Sequence, residues 1–124
     1  MYVCGGNTFH LLHSSRNSAA PIREQVLALC ENGGLYIGSS AGAVIASSDI
    51  SSAGEVCPDK NRDGVTDFRG LSFIAKHIIP HYRPSMDREI ALFVERHGLS
   101  SDAILPVRNG EGVYVRDGRW VLIV

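Results

Sequence analysis

The chain has 124 residues, 44% of them apolar, which suits one domain, residues 1–124, built around one core. Twelve basic and 13 acidic side chains give a net charge of −1, so electrostatics offers no reason to expect nucleic acid or an anionic membrane surface. No apolar run could cross a bilayer and the N-terminus lacks a signal-like core; Cys4, Cys30 and Cys57 are an odd set without C-x-x-C spacing. A cytoplasmic protein with buried or bystander thiols, and without a disulfide framework or a zinc site, is the expectation.

Met1 to Cys4 suits a short buried strand that breaks at Gly5-Gly6. Asn7 or Thr8 then caps a helix to about His13, with His10 and His13 on its surface. After a polar connector, Ser14 to Ala20, Pro21 at a first helical position opens a helix over Ile22 to Glu31. Ile22, Val26 and Leu29 form its apolar stripe, Arg23, Glu24 and Gln25 its wet side, and Asn32-Gly33-Gly34 ends it. The apolar run that follows stops at Gly38, which makes this a β-α-β crossover with parallel strands.

At that point comes Gly38-Ser39-Ser40-Ala41-Gly42, followed by a helix-like run to about Ser47. Strand, tight turn and helix are what a G-x-S-x-G nucleophile elbow needs, so Ser40 is the candidate nucleophile. The backbone N–H of Ala41 would face a developing oxyanion. Ser47, Ser48, Ser51 and Ser52 mark a loop, and Glu55 to Gly70 has no apolar periodicity. Within it, Asp59 to Asp67 has the D-x-N-x-D-G start of a calcium loop, but the bidentate glutamate position falls on Gly70, so a solvated acidic loop is the favoured reading.

Leu71 to Ile79 reads as a strand stopped by Pro80. His81 then lies just past a strand end, where an open α/β sheet carries its reactive side chains, and is the candidate general base, with His77 as competitor. Ser85 is read as the cap of a helix to His97, with Met86, Ile90, Phe93 and Val94 as its stripe and Gly98 as terminator. Ala103 to Val107 reads as a strand, and Gly112 to Arg116 with Arg119 to Val124 as a hairpin about Asp117-Gly118.

Three segments in order, Cys4 to Leu12, Tyr36 to Ala43 and Pro80-His81-Tyr82, resemble the aspartyl dipeptidase (peptidase E) and cyanophycinase family of serine peptidases. Thr66 to Leu71 likewise resembles the family's Asp-Phe-x-Gly-Leu segment. The resemblance implies a class I glutamine amidotransferase-like α/β fold with flavodoxin-like layering: a mostly parallel sheet, flanking helices and the C-terminal hairpin. It implies His81 rather than His77 as the base and Gly6 as a second oxyanion donor. For the acid beside His81 it points to Glu111, in a Glu-Gly pair, although counting back from Gly118 puts Asn109 at the equivalent spacing; Glu55 is the alternative. It also implies that Arg88, more than Arg83, grips a substrate carboxylate. No metal or organic cofactor is implied.

Relatives in that family carry strand and helix units ahead of the Gly-Gly-Asn-Thr motif, whereas this chain begins almost on it; a fragment, a shortened variant or a chain whose missing half comes from another chain are the three expectations, with a homo-oligomer or a complementing chain as the expected partner. The reading is a serine peptidase acting on short peptides, an acidic N-terminal residue being implied only by the resemblance. A truncated, non-catalytic binding or assembly module is the alternative.

Overall fold

The computed structural model describes residues 1–124. In chain order the strands are β1 (Tyr2–Val3), β2 (Ile37–Gly38), β3 (His77–Ile79), β4 (Ile104–Pro106), β5 (Gly112–Arg116) and β6 (Arg119–Ile123). The helices are α1 (Thr8–Arg16), α2 (Ile22–Glu31), α3 (Ala41–Val44), α4 (Ser52–Glu55) and α5 (Asp87–His97). β1 pairs with β2 and β3 with β4, both parallel, while β5 and β6 form the antiparallel hairpin. The mostly parallel α/β arrangement with a C-terminal hairpin is therefore present, divided into three two-stranded pieces. No helix is long and apolar enough to cross a membrane.

Local signals set most boundaries. Asn7 caps α1, accepting the His10 N–H, and the helix runs one turn beyond the expected His13 to Arg16, whose guanidinium donates to the carbonyl of Asp67. α2 keeps its expected span; Pro21 is its cap rather than its first residue, and Val26 is its buried side chain. Ser85 does not cap α5. Pro84 starts a 3-10 turn, Pro84–Met86, so Ser85 lies inside that turn and the α-helix begins at Asp87.

The expected strand from Leu71 to Ile79 shrinks to β3. Before it the chain hugs the end of α3: Leu71 N–H donates to Ile45 O and Ile74 bridges Ser47 in parallel. Gly70 approaches so closely that a Cβ there would lie 2.1 Å from Ser47 O. The serine-rich stretch read as a loop contains the short helix α4, with Ser52 fully buried.

The main core gathers Val3, Phe9, Leu12, Val44, Ile45 and Ile50 between α1, α3 and the following segment. A second cluster packs Phe93 of α5 on Ile79 and Val56, and a third packs Ile74 and Ile78 on Leu105 of β4. The three thiols are unpaired: Cys4 and Cys30 are exposed bystanders, and Cys57 is half-buried, where burial and the nearby Asp59 push its pKa up to about 11.

Candidate active site

β2 ends at Gly38, and Ser39 N–H donates to Val3 O at 2.9 Å, keeping the chain on β1 for one more residue. It then reverses at Ser40, whose φ of 53° and ψ of −114° lie outside the regions open to ordinary L-residues. Two glycines make room for this reversal. A Cβ on Gly38 would lie 2.3 Å from Gly42 O, and one on Gly42 would lie 2.3 Å from Val3 O. Tyr36 secures the turn from below, its hydroxyl donating to Gly42 O at 2.6 Å, and burial pushes the Tyr36 pKa up to about 12.

β3 ends at Ile79, and Pro80 carries the chain to His81, also at positive φ, 56°. Beyond β4 the backbone stays beside this turn: Val107 N–H donates to Ile79 O at 2.9 Å and Tyr82 N–H donates to Val107 O at 3.0 Å. The C-terminal ends of β2, β3 and β4 thus deliver Ser40, His81 and Asn109 to one rim. His81 Nε2 lies 3.0 Å from Ser40 Oγ, and His81 Nδ1 lies 2.7 Å from Asn109 Oδ1. With that amide oxygen accepting from Nδ1–H, the other ring nitrogen is free to accept the Ser40 hydroxyl proton.

Glu111 and Glu55, the acids considered from the sequence, are engaged elsewhere. Glu111 Oε2 accepts the Arg108 N–H at 2.8 Å, because the turn from Arg108 to Glu111 folds its side chain back on the loop. Glu55, at the end of α4, accepts from Arg96 and lies 2.7 Å from His97 Nε2, both on α5. Partial burial pushes the Glu55 carboxyl up, but its bonds to His97 and Arg96 outweigh this and hold it below the usual range. The partner of His81 is Asn109, which the count back from Gly118 had marked.

His77 is not at the rim. Its ring packs edge-on against Phe93 with centroids 5.1 Å apart, its Nδ1 is buried without a hydrogen-bond partner, 3.9 Å from Asp49 Oδ1, and burial keeps its pKa below the ordinary histidine value. The Gly5-Gly6 loop does reach Ser40: a Cβ on Gly5 would lie 3.0 Å from Ser40 Cβ, so the site requires the small size of Gly5, whereas an added Cβ on Gly6 would meet nothing within 4 Å and it is the backbone there, at a φ of 141°, that favours glycine. The glycine pair was the signal for it. Neither Gly6 N–H nor Ala41 N–H donates to an acceptor within the protein. Arg88 is exposed in the first turn of α5, next to Asp87, which accepts the Tyr82 hydroxyl at 2.7 Å.

The acidic loop is organised from within. Asp59 Oδ2 accepts from Thr8 N–H at 2.9 Å and Thr8 Oγ1 at 2.5 Å, at the start of α1. Asn61 bonds both the N–H and the C=O of Val65, and Asp63 lies 3.1 Å from His10 Nδ1.

The family model described as peptidase family S51 matches residues 1–123. An uncharacterized peptidase of Listeria monocytogenes is 33% identical over 118 residues, covering 94% of this chain and 56% of that protein. A Drosophila melanogaster protein named "Probable alpha-aspartyl dipeptidase" is 32% identical over 135 residues, covering 99% of this chain and 52% of its own length. Among solved structures, a crystal structure titled as a "Putative Peptidase E Protein" from Listeria monocytogenes matches with a TM-score of 0.76 and 29% identity, covering 98% of this chain and 57% of that one. The chain thus spans a little over half the length of these relatives. With a match that runs from its first residue to its last but one, the chain belongs to peptidase family S51.

Proposed function

We propose that this chain carries the catalytic centre of a serine peptidase that cleaves short peptides through an acyl-enzyme. The observation that carries the reading is the 3.0 Å approach of His81 Nε2 to Ser40 Oγ on a strained turn. In this reading the Ser40 oxygen attacks the peptide carbonyl carbon as its proton passes to His81 Nε2. The N–H groups of Ala41 and Gly6 receive the oxyanion, each donor of this type being worth about 3 kcal/mol of barrier. The tetrahedral adduct collapses with cleavage of the C–N bond, and His81 returns the proton to the departing amine. Water, deprotonated by His81, then releases the acyl group and restores the Ser40 hydroxyl.

Arg88 is proposed to take the acidic side chain of a substrate with an N-terminal aspartyl residue. The support is the name of the Drosophila relative and the position of Arg88 beside Asp87, which Tyr82 ties to the His81 turn. A homo-oligomer or complementing chain belongs to the same reading, supported by the half-exposed apolar side chains Tyr2, Leu35 and Ile37 on and beside β1 and β2. A cytoplasmic setting fits the three unpaired cysteines.

The test is labelling of the folded protein with a fluorophosphonate probe, followed by turnover of Asp-Xaa dipeptides. Labelling that disappears in Ser40→Ala and in His81→Ala supports the peptidase. A folded protein that does not react at Ser40 overturns it and leaves the binding or assembly module.

A further inference from the structure

His81 Nδ1 faces an amide oxygen, that of Asn109, and no carboxylate is bonded to the ring. We infer that Asn109 is the positioning residue of the Ser40–His81 pair, an uncharged third member whose placement depends on Glu111. The inference rests on Ser40 acting as the nucleophile.

The loop is built to hold that amide. Glu111 ties both ends of the turn: its N–H donates to Arg108 O at 3.1 Å and its carboxylate accepts the Arg108 N–H at 2.8 Å. Gly110, with φ of 89°, supplies the left-handed step that closes the turn over four residues. Asn109 is its second residue and is thereby aimed back at His81. The preceding Val107 is bonded to Ile79 and Tyr82, which flank the Pro80-His81 segment, so amide and imidazole are referenced to the same strand end. The charged groups around the turn face one another: Arg108 lies over the Tyr82 ring and 3.5 Å from Glu111, and Tyr82 donates to Asp87. Glu111 therefore acts one step back, shaping the loop rather than meeting the ring.

An amide and a carboxylate differ here in two ways. A carboxylate only accepts, so it keeps the proton on Nδ1 and leaves Nε2 ready to take the serine proton. An amide can turn over and donate its NH2 to Nδ1, which places the ring proton on Nε2 and removes the base from Ser40. An amide also puts no negative charge beside the imidazolium that forms as Ser40 attacks. The pair in this chain is consequently oriented but underpowered, and Asn109→Asp should strengthen it. In a serine protease the reverse exchange, acid to amide, lowers kcat about 10⁴-fold, which sets the ceiling for the gain.

The experiment measures the rate of fluorophosphonate labelling from about pH 5 to about pH 9, bracketing the ordinary histidine range. It compares the unaltered chain with Ser40→Ala, Asn109→Asp, Asn109→Ala and Glu111→Gln, each checked for folding by its melting curve. Asn109→Asp is expected to label at least about tenfold faster near neutral pH, with the acidic limb of the rate profile moved to higher pH. Asn109→Ala is expected to label about tenfold more slowly. Glu111→Gln, whose amide oxygen can still accept the Arg108 N–H, slows labelling less than Asn109→Ala does. Folded Asn109 variants that label at the unaltered rate, with an unmoved pH profile, overturn the inference while leaving Ser40 as the nucleophile. A Glu111→Gln variant that loses labelling while Asn109→Ala keeps it also overturns the inference, by making Glu111 the third member. Absence of Ser40-dependent labelling in every form overturns the nucleophile reading, and the inference with it.

Discussion

Ser40 and His81, 41 positions apart in the chain, meet at 3.0 Å, and both have positive φ, 53° and 56°. Non-glycine residues held in sparsely populated backbone regions cost of order 1–3 kcal/mol each, and they persist only where the surroundings over-determine them. At Ser40 the surroundings are the β1–β2 pairing and the packing of Gly42 on Val3. At His81 they are the bonds that Val107 makes to Ile79 and Tyr82.

Ser40→Gly should relieve its share of this strain. After the extra flexibility glycine gives the unfolded chain is subtracted, a net gain of about 1 kcal/mol in unfolding free energy remains. Labelling by a serine-reactive probe should vanish in the same variant. Denaturant melts of Ser40→Gly and Ser40→Ala check this, and a glycine variant less stable than the alanine variant would contradict it.

Gly42→Ala should be costly whatever it does to chemistry, because the new Cβ would sit 2.3 Å from the Val3 carbonyl oxygen, a backbone atom that cannot swing away. A loss of about 1–3 kcal/mol is expected, as for overpacked cores. Gly112→Ala is the control, since a Cβ there meets nothing within 4 Å. It should change stability by about 0.5 kcal/mol or less.

Asp59→Ala should destabilise the start of α1. Thr8 is buried, and its N–H and hydroxyl both donate to this carboxylate. Removing a charged acceptor from buried donors costs about 1–3 kcal/mol. Because the Asp59 and Asn61 oxygens already serve Thr8 and Val65, millimolar calcium should not raise the melting temperature. A clear upward shift with calcium would show that the loop rearranges into a cation site.

Stability should fall as pH drops through the range in which an unfolded histidine gains its proton. Burial, assisted by the nearby His97, lowers the pKa of His77 in the folded chain against the opposing pull of Asp49. The unfolded state therefore binds a proton first, at about pH 6.5, and the stability present above that pH declines below it until the folded-state value is reached. In His77→Gln this part of the decline should be missing. Urea midpoints at neutral pH and about one unit below the unfolded histidine value test it; equal acid sensitivity of the two proteins would assign the loss to other groups.

What the residues alone determined was local. The stripe of Ile22, Val26 and Leu29 carried the whole span of α2, and Asp117-Gly118 located the hairpin. Gly38 to Gly42 marked the strained turn at Ser40, and Pro80 ended the strand before His81, because turn chemistry and periodicity act over a few neighbouring positions. Segments whose partners are remote were less legible. Leu71 to Phe73 are apolar enough for a strand but cling to the end of α3, and Ser85 has the chemistry of a cap but was pre-empted by Pro84.

The third member of the site shows the division most sharply. Sequence narrowed it to Glu111, Asn109 or Glu55, all polar, the first two just before the C-terminal hairpin and the third in a stretch without apolar periodicity. Only the tertiary structure decided which faces His81, since that depends on the β3–β4 register and on a turn that Glu111 itself closes. Contacts between groups far apart in the chain follow from how its strands align in space, which no local pattern encodes.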